Sequence, residues 1–183
     1  MFPIIYFVII NIHQNVNLCN YNFKKELIPK LDKNNTLLIK ILNSLIKDDN
    51  NERYRYRYIY FDQPFELESV KDKQEQLINS ISKTVGTENL GLKIHPRNNG
   101  SYNLNYNIIN SRIPFELTEI NYDMNNKVLI SLYSTACLNP KIIFDEEPFV
   151  ILLFKLVSLP ELDANVFEIA LDVQNIYSNK NRF

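Results

Sequence analysis

Two spacings of apolar residues alternate along the chain. Leu37, Leu38, Ile41, Leu42, Leu45 and Ile46 recur every three or four positions, which predicts a helix over 35–47 with one buried stripe and Asn35 or Thr36 as its cap. The polar run 48–52 (DDNNE) then breaks the pattern. From residue 53 the pattern switches to period two in "RYRYRY", which places Tyr54, Tyr56 and Tyr58 on one face of a strand and the arginines on the other. That strand continues through "YIYF" and ends at Pro64. Helical spacing returns in "SVKDKQEQLINSISKTVG", with Ser69 as cap, Val70, Leu77, Ile78 and Ile81 on the apolar side and Gly86 as stop.

The second half repeats the alternation. "LGLKI" predicts a short strand ended by His95 and Pro96, and "NNGSYNLNYN" a loop. "RIPFELTEI" begins extended and turns helical, and "KVLISLY" is a continuous apolar strand. "STACLNPKIIF" begins helically, with Pro140 breaking or kinking it. "PFVILLFKL", the most apolar run, predicts a fully buried strand. A closing helix follows, capped by Asp163 and burying Val166, Phe167, Ile169, Ala170, Val173 and Ile176. Strands alternating with helices predict an α/β fold with a mainly parallel sheet covered on both faces. Residues 1–50 stand apart as an N-terminal remnant or linker with an amphipathic helix, and 51–183 form the α/β domain.

Composition narrows the chemistry. A hydrophobic fraction of 45%, with 11 Tyr and 11 Phe, supplies a real core. The net charge of −1 gives no general reason to bind nucleic acid, and "RYRYRY" reads as a strand rather than a stacking platform. Cys19 and Cys137 lack metal-like spacing and fit small apolar residues in a reducing compartment, and His13 and His95 are too few and too far apart for a zinc site. The apolar start, "MFPIIYFVIINI", is too short to span a membrane. It also lacks a basic leader and a small-residue cleavage site, so neither secretion nor anchoring is expected, and a buried strand is. With three glycines in all, no glycine-rich phosphate loop is present. Any phosphate must be held by side chains and helix N-termini.

In a parallel sheet, ligands bind beyond the carboxyl ends of the strands. Three predicted strand ends carry chemistry: "FDQPFELES" with Asp62, Glu66 and Glu68; "KIHPR" with Lys93, His95 and Arg97; and "SLYSTA" with Ser131, Ser134 and Thr135. Glu116, in "IPFEL", lies between the last two. Each has a plain structural alternative. Carboxylates favour helix starts, hydroxyls cap helices, and a histidine before proline often only ends a strand. Together they describe a phosphate site. Ser134 and Thr135 open a helix, His95 donates to or protonates a leaving phosphate, and a carboxylate accepts the proton of an attacking hydroxyl.

"KIHP", "PFEL" and "ISLYSTA", in this order and after "YIYFDQP", resemble the bacterial sialyltransferases of glycosyltransferase family 52, the lipooligosaccharide and capsule enzymes. The resemblance covers about residues 54–157. It implies a Rossmann-like domain similar to the C-terminal, nucleotide-binding half of a GT-B glycosyltransferase. It implies that His95 contacts the donor phosphate and acts as general acid, and that Lys93 and Pro96 lie beside the nucleotide. Glu116 would hold the ribose, and Ser134 and Thr135 the phosphate. The implied donor is CMP-sialic acid and the acceptor a galactose-type hydroxyl on a surface glycan. Transfer would be inverting, with no obligatory metal and no cofactor, in the cytoplasm and with peripheral contact at the inner face of the membrane.

The chain departs from this pattern in two ways. Where relatives carry two acidic residues and a glycine, it reads "QPFELES", leaving Glu66 or Glu68 as the base. It is also about half the expected length. That predicts slow or no transfer by the chain alone and an exposed apolar face that favours a homodimer. The alternative expectation is a non-catalytic α/β nucleotide-binding or interaction module derived from the same fold.

Overall fold

A computed structural model describes residues 30–45, 55–64, 68–98, 102, 106–109, 114–156, 171–172 and 174–182. The expected N-terminal strand, His13, Cys19, Tyr54, Glu66 and the first part of the closing helix lie outside the described residues. Residues 171–172 and 174–176 of that helix are helical.

Among the described residues are helix α1 (Thr36–Leu45), strand β1 (Tyr58–Phe61), helix α2 (Glu68–Val85), strands β2 (Leu90–Lys93) and β3 (Asn107–Ile109), helix α3 (Phe115–Glu119), and strands β4 (Val128–Ser131) and β5 (Phe149–Leu152). The strands form one parallel sheet in the order β3-β2-β1-β4-β5. β1 is central, with Tyr58 level with Leu90 on one side and Val128 on the other. The order reverses between β1 and β4, the signature of a doubly wound, Rossmann-like α/β fold. No helix among the described residues is long and apolar enough to cross a membrane.

Alternation along β1 builds both cores. Tyr60 packs with Ile78 of α2, Leu92 and Ile130 on one face. Ile59 and Phe61 pack with Phe115, Leu129, Cys137, Leu138 and Val150 on the other. α2 buries Gln74, Ile78 and Ser82 at four-residue spacing and stops at Gly86, whose φ of 87° suits glycine. Residues 30–33 lie over the second face, with Leu31 N–H donating to the Ile143 carbonyl at 2.7 Å and Lys33 paired with Glu146 at 2.7 Å.

Five local expectations are corrected. α2 begins at Glu68, so Ser69 lies inside its first turn. The chain bends at Arg57 before β1 starts, so Tyr56 and Tyr58 pack on opposite faces although Arg55 and Arg57 both stay exposed. β3 was unforeseen: its three residues sit after an asparagine-rich loop and carry too little apolar signal. "STACLNPKIIF" forms a single 3-10 turn, Thr135–Cys137, and a π-helical turn, Pro140–Phe144, because Pro140 cannot continue a helix that starts at Thr135. The run "PFVILLFKL" yields β5, which pairs on one side with β4 at the end of the described sheet and leaves Phe149 and Ile151 exposed.

The bend at Arg57 folds the Tyr56 ring over Gly91. A methyl group on Gly91 would stand 2.5 Å from the ring and 2.7 Å from Ile109 Cδ1. Gly91→Ala should therefore destabilise the chain by about 1–3 kcal/mol through overpacking, read as a lower urea midpoint. A second prediction concerns Glu119, fully buried, whose oxygens lack hydrogen-bond partners among the described residues. Burial, then Glu116, raises its pKa well above the ordinary 4.5. The folded chain thus holds a proton that the unfolded chain releases, and stability falls as pH rises above about 4.5. Glu119→Gln should raise stability at pH 7 by about 1–3 kcal/mol, with the gain vanishing toward pH 4 in pH-dependent urea unfolding.

Candidate functional site

The carboxyl ends of β1, β2 and β4 open onto one cleft of about 330 Å³. Phe61 and Asp62 come from the end of β1, and Lys93, Ile94, His95 and Pro96 from the end of β2. Pro114 to Glu116 lead into α3, and Ser134 to Ala136 follow β4. The structure thus brings together His95, Lys93, Pro96, Glu116, Ser134 and Thr135. Glu66 lies outside the described residues, and only the backbone of Glu68, the first residue of α2, is described.

Residues 95–98 form a β-turn in which Asn98 N–H donates to the His95 carbonyl at 2.9 Å. Pro96 takes the second position, where its fixed φ suits the turn. The Arg97 amide N–H donates to His95 Nδ1 at 3.1 Å, so neutral His95 carries its hydrogen on Nε2. Burial first, and Arg97 second, lower the His95 pKa from 6.5, while Asp62 opposes them. The ring is a neutral donor at pH 7, and once charged it is a stronger acid than free imidazole.

Lys93 is 6% exposed. Burial pulls its pKa down to about 8, with Glu116 working in the opposite direction. Glu116 accepts a hydrogen bond from Asn139 Nδ2 at 2.6 Å. Its helix is fixed at the cleft floor by Phe115, which meets Phe61 edge to face at 4.5 Å between ring centres.

Ser131 is a structural hydroxyl. It is buried, donates to the Phe61 carbonyl at 2.9 Å and accepts from Ser134 N–H at 3.1 Å, which ties the end of β4 to β1. Ser134 caps its own turn by accepting from Ala136 N–H at 3.3 Å. The two hydroxyls therefore stand at a single 3-10 turn rather than at the N-terminus of a long helix. Any ligand there meets side-chain hydroxyls, with little help from a helix dipole.

No family model, curated protein or solved structure matches the chain. The site rests on its own geometry.

Several contributors were not singled out from sequence. Asn139 holds Glu116, and Phe61 and Phe115 form the floor. Gln74, fully buried, donates to Asp62 Oδ1 at 2.8 Å and to the Gln63 carbonyl at 3.1 Å. A readable signal existed for Gln74: it falls four residues after Val70 and four before Ile78, a polar residue in the apolar stripe of α2.

A buried ammonium with a depressed pKa lowers stability until pH rises past its folded value. Lys93→Met should therefore stabilise the chain at pH 7 by on the order of 1–3 kcal/mol. The advantage should shrink between about pH 8 and 10.5, where wild type regains the loss. Urea unfolding across that range is the measurement.

Proposed function

We propose that the chain binds a CMP-linked sugar in this cleft and is the donor-binding part of a sialyltransferase-like glycosyltransferase. The observation that carries the reading is the convergence on one cleft, at the carboxyl edge of a doubly wound sheet, of residues from three separate motifs: Lys93 and His95, Glu116, and Ser134 with Thr135. A lysine, a neutral Nε2–H donor and two hydroxyls fit a single phosphate without a glycine loop. Glu116 fits a ribose hydroxyl.

In the transfer itself, the bond between the anomeric carbon and the phosphate oxygen breaks and the nucleotide leaves with the electron pair. The acceptor oxygen bonds that carbon and gives up its proton to a carboxylate, for which Glu66 and Glu68 remain the candidates. Protonated His95 gives a proton to the departing phosphate.

One observation favours the alternative of binding without turnover. The two carboxylates lining the cleft among the described residues, Asp62 and Glu116, are both engaged by protein donors. Neither is set to take a proton from an acceptor.

Calorimetry with CMP tests the reading. Wild type should bind, and His95→Ala should weaken binding at least ~10-fold, about 1.4 kcal/mol. Binding should also take up protons, since phosphate beside Lys93 and His95 raises both pKa values. Titrations in buffers of different ionisation enthalpy would show this. Folded wild type that does not bind CMP would overturn the proposal. Binding without consumption of CMP-N-acetylneuraminic acid would select the non-catalytic alternative.

A further inference from the structure

Asp62 is 2% exposed, yet it lies at the end of β1 where the cleft begins. Its carboxylate accepts four hydrogen bonds. Oδ1 takes Gln74 Nε2 at 2.8 Å and the Tyr102 hydroxyl. Oδ2 takes the His95 backbone N–H at 3.2 Å and Asn98 Nδ2 at 2.7 Å. An ionised carboxylate has about four lone-pair sites, so donors and sites match in number. Three of the four donors come from the connection between β2 and β3, the segment that carries His95. The fourth, Gln74, also accepts from Gln63 N–H at 3.1 Å and so fixes the chain leaving β1.

We infer that Asp62 is the positioning residue of the cleft, clasping the turn 95–98 to the end of β1 so that the imidazole is held ready for a ligand. The inference relies on the CMP reading for the identity of that ligand alone. Both ends of the turn are held through charge-assisted bonds, at the His95 amide and the Asn98 side chain. With the turn closed, the Arg97 amide meets Nδ1 and Nε2–H is left for the ligand. The network thus removes, before binding, the freedom that ordering His95 would otherwise consume. Asparagine is a poor substitute, because its amide would direct two hydrogens toward groups that are themselves donors.

Amide hydrogen exchange by NMR tests this without any ligand. The Arg97 N–H donates to the His95 ring, so its protection reports the ring's place. The amides of Val128 and Phe149, which donate to the Arg57 and Lys127 carbonyls, report the sheet. In Asp62→Asn, Arg97 protection should fall at least ~10-fold more than that of Val128 and Phe149, and CMP affinity should drop ~10-fold. Should Asp62→Asn fail to fold, Asn98→Ala removes one of the clasping bonds and should act in the same direction with a smaller effect. Unchanged Arg97 protection, or a loss matched by the sheet amides, would overturn the inference. If wild type binds no CMP, the function reading fails, while the exchange experiment still decides the role of Asp62.

Discussion

Burying the hydroxyl of Tyr60 sets a chain of requirements that runs from the core to the cleft. β1 is bonded on both sides and covered on both faces, so Tyr60 has no water to turn to. Its hydroxyl donates to Gln74 Oε1 at 3.3 Å, and burial followed by Asp62 raises its pKa far above the ordinary value. Gln74, itself buried, must place its amide hydrogens, and it finds Asp62 and the Gln63 carbonyl. Asp62 is a buried carboxylate, and it finds the turn 95–98 and Tyr102. Each polar group is stable because the next one is present. The position of His95 is therefore a consequence of how the central strand is buried.

Fold class was legible because long apolar runs alternate with helical stripes, and such patterns survive tertiary context. α1, β1, β2, β4 and β5 fall within the segments that show them, and α2 starts one residue ahead of its segment, at Glu68. The failures come where a few residues decide the geometry. β3 has three residues and one buried side chain, Ile109. The bend at Arg57 swaps the face of Tyr56, and a strict period-two reading cannot foresee a bend. The apolar run of β5 reads as buried, but a run of Val, Ile, Leu and Phe carries no information about its place in a sheet, and a strand at the end of the described sheet can be just as apolar.

That the candidate residues meet at one cleft was legible for a different reason. The switch-point rule says where to look, and histidine, lysine and hydroxyls at strand ends then stand out. What holds them was not legible. Asn139, Gln74 and Asn98 are ordinary amides in sequence, and their role depends on contacts 11 to 36 residues away. The same holds for the 3-10 turn at Thr135. Two hydroxyls before alanine look like a helix cap, and only Pro140 hints that no long helix can follow.

Charge at the cleft sets which ligands suit it. Lys93 is one cation, moderated by Glu116, and His95 is neutral at pH 7 with its pKa held low by burial and Arg97. The phosphate of the proposed donor, a diester with one negative charge, is set against Lys93. In the proposed transfer, the phosphate gains a second charge as the sugar leaves, and the balance then requires one more proton. His95 is suited to that moment: burial makes its charged form a stronger acid than free imidazole, and the growing charge on the phosphate is what would draw a proton to the site. On the proposed reading, one lysine and one imidazole of this kind suit a phosphate whose charge changes by one during its stay.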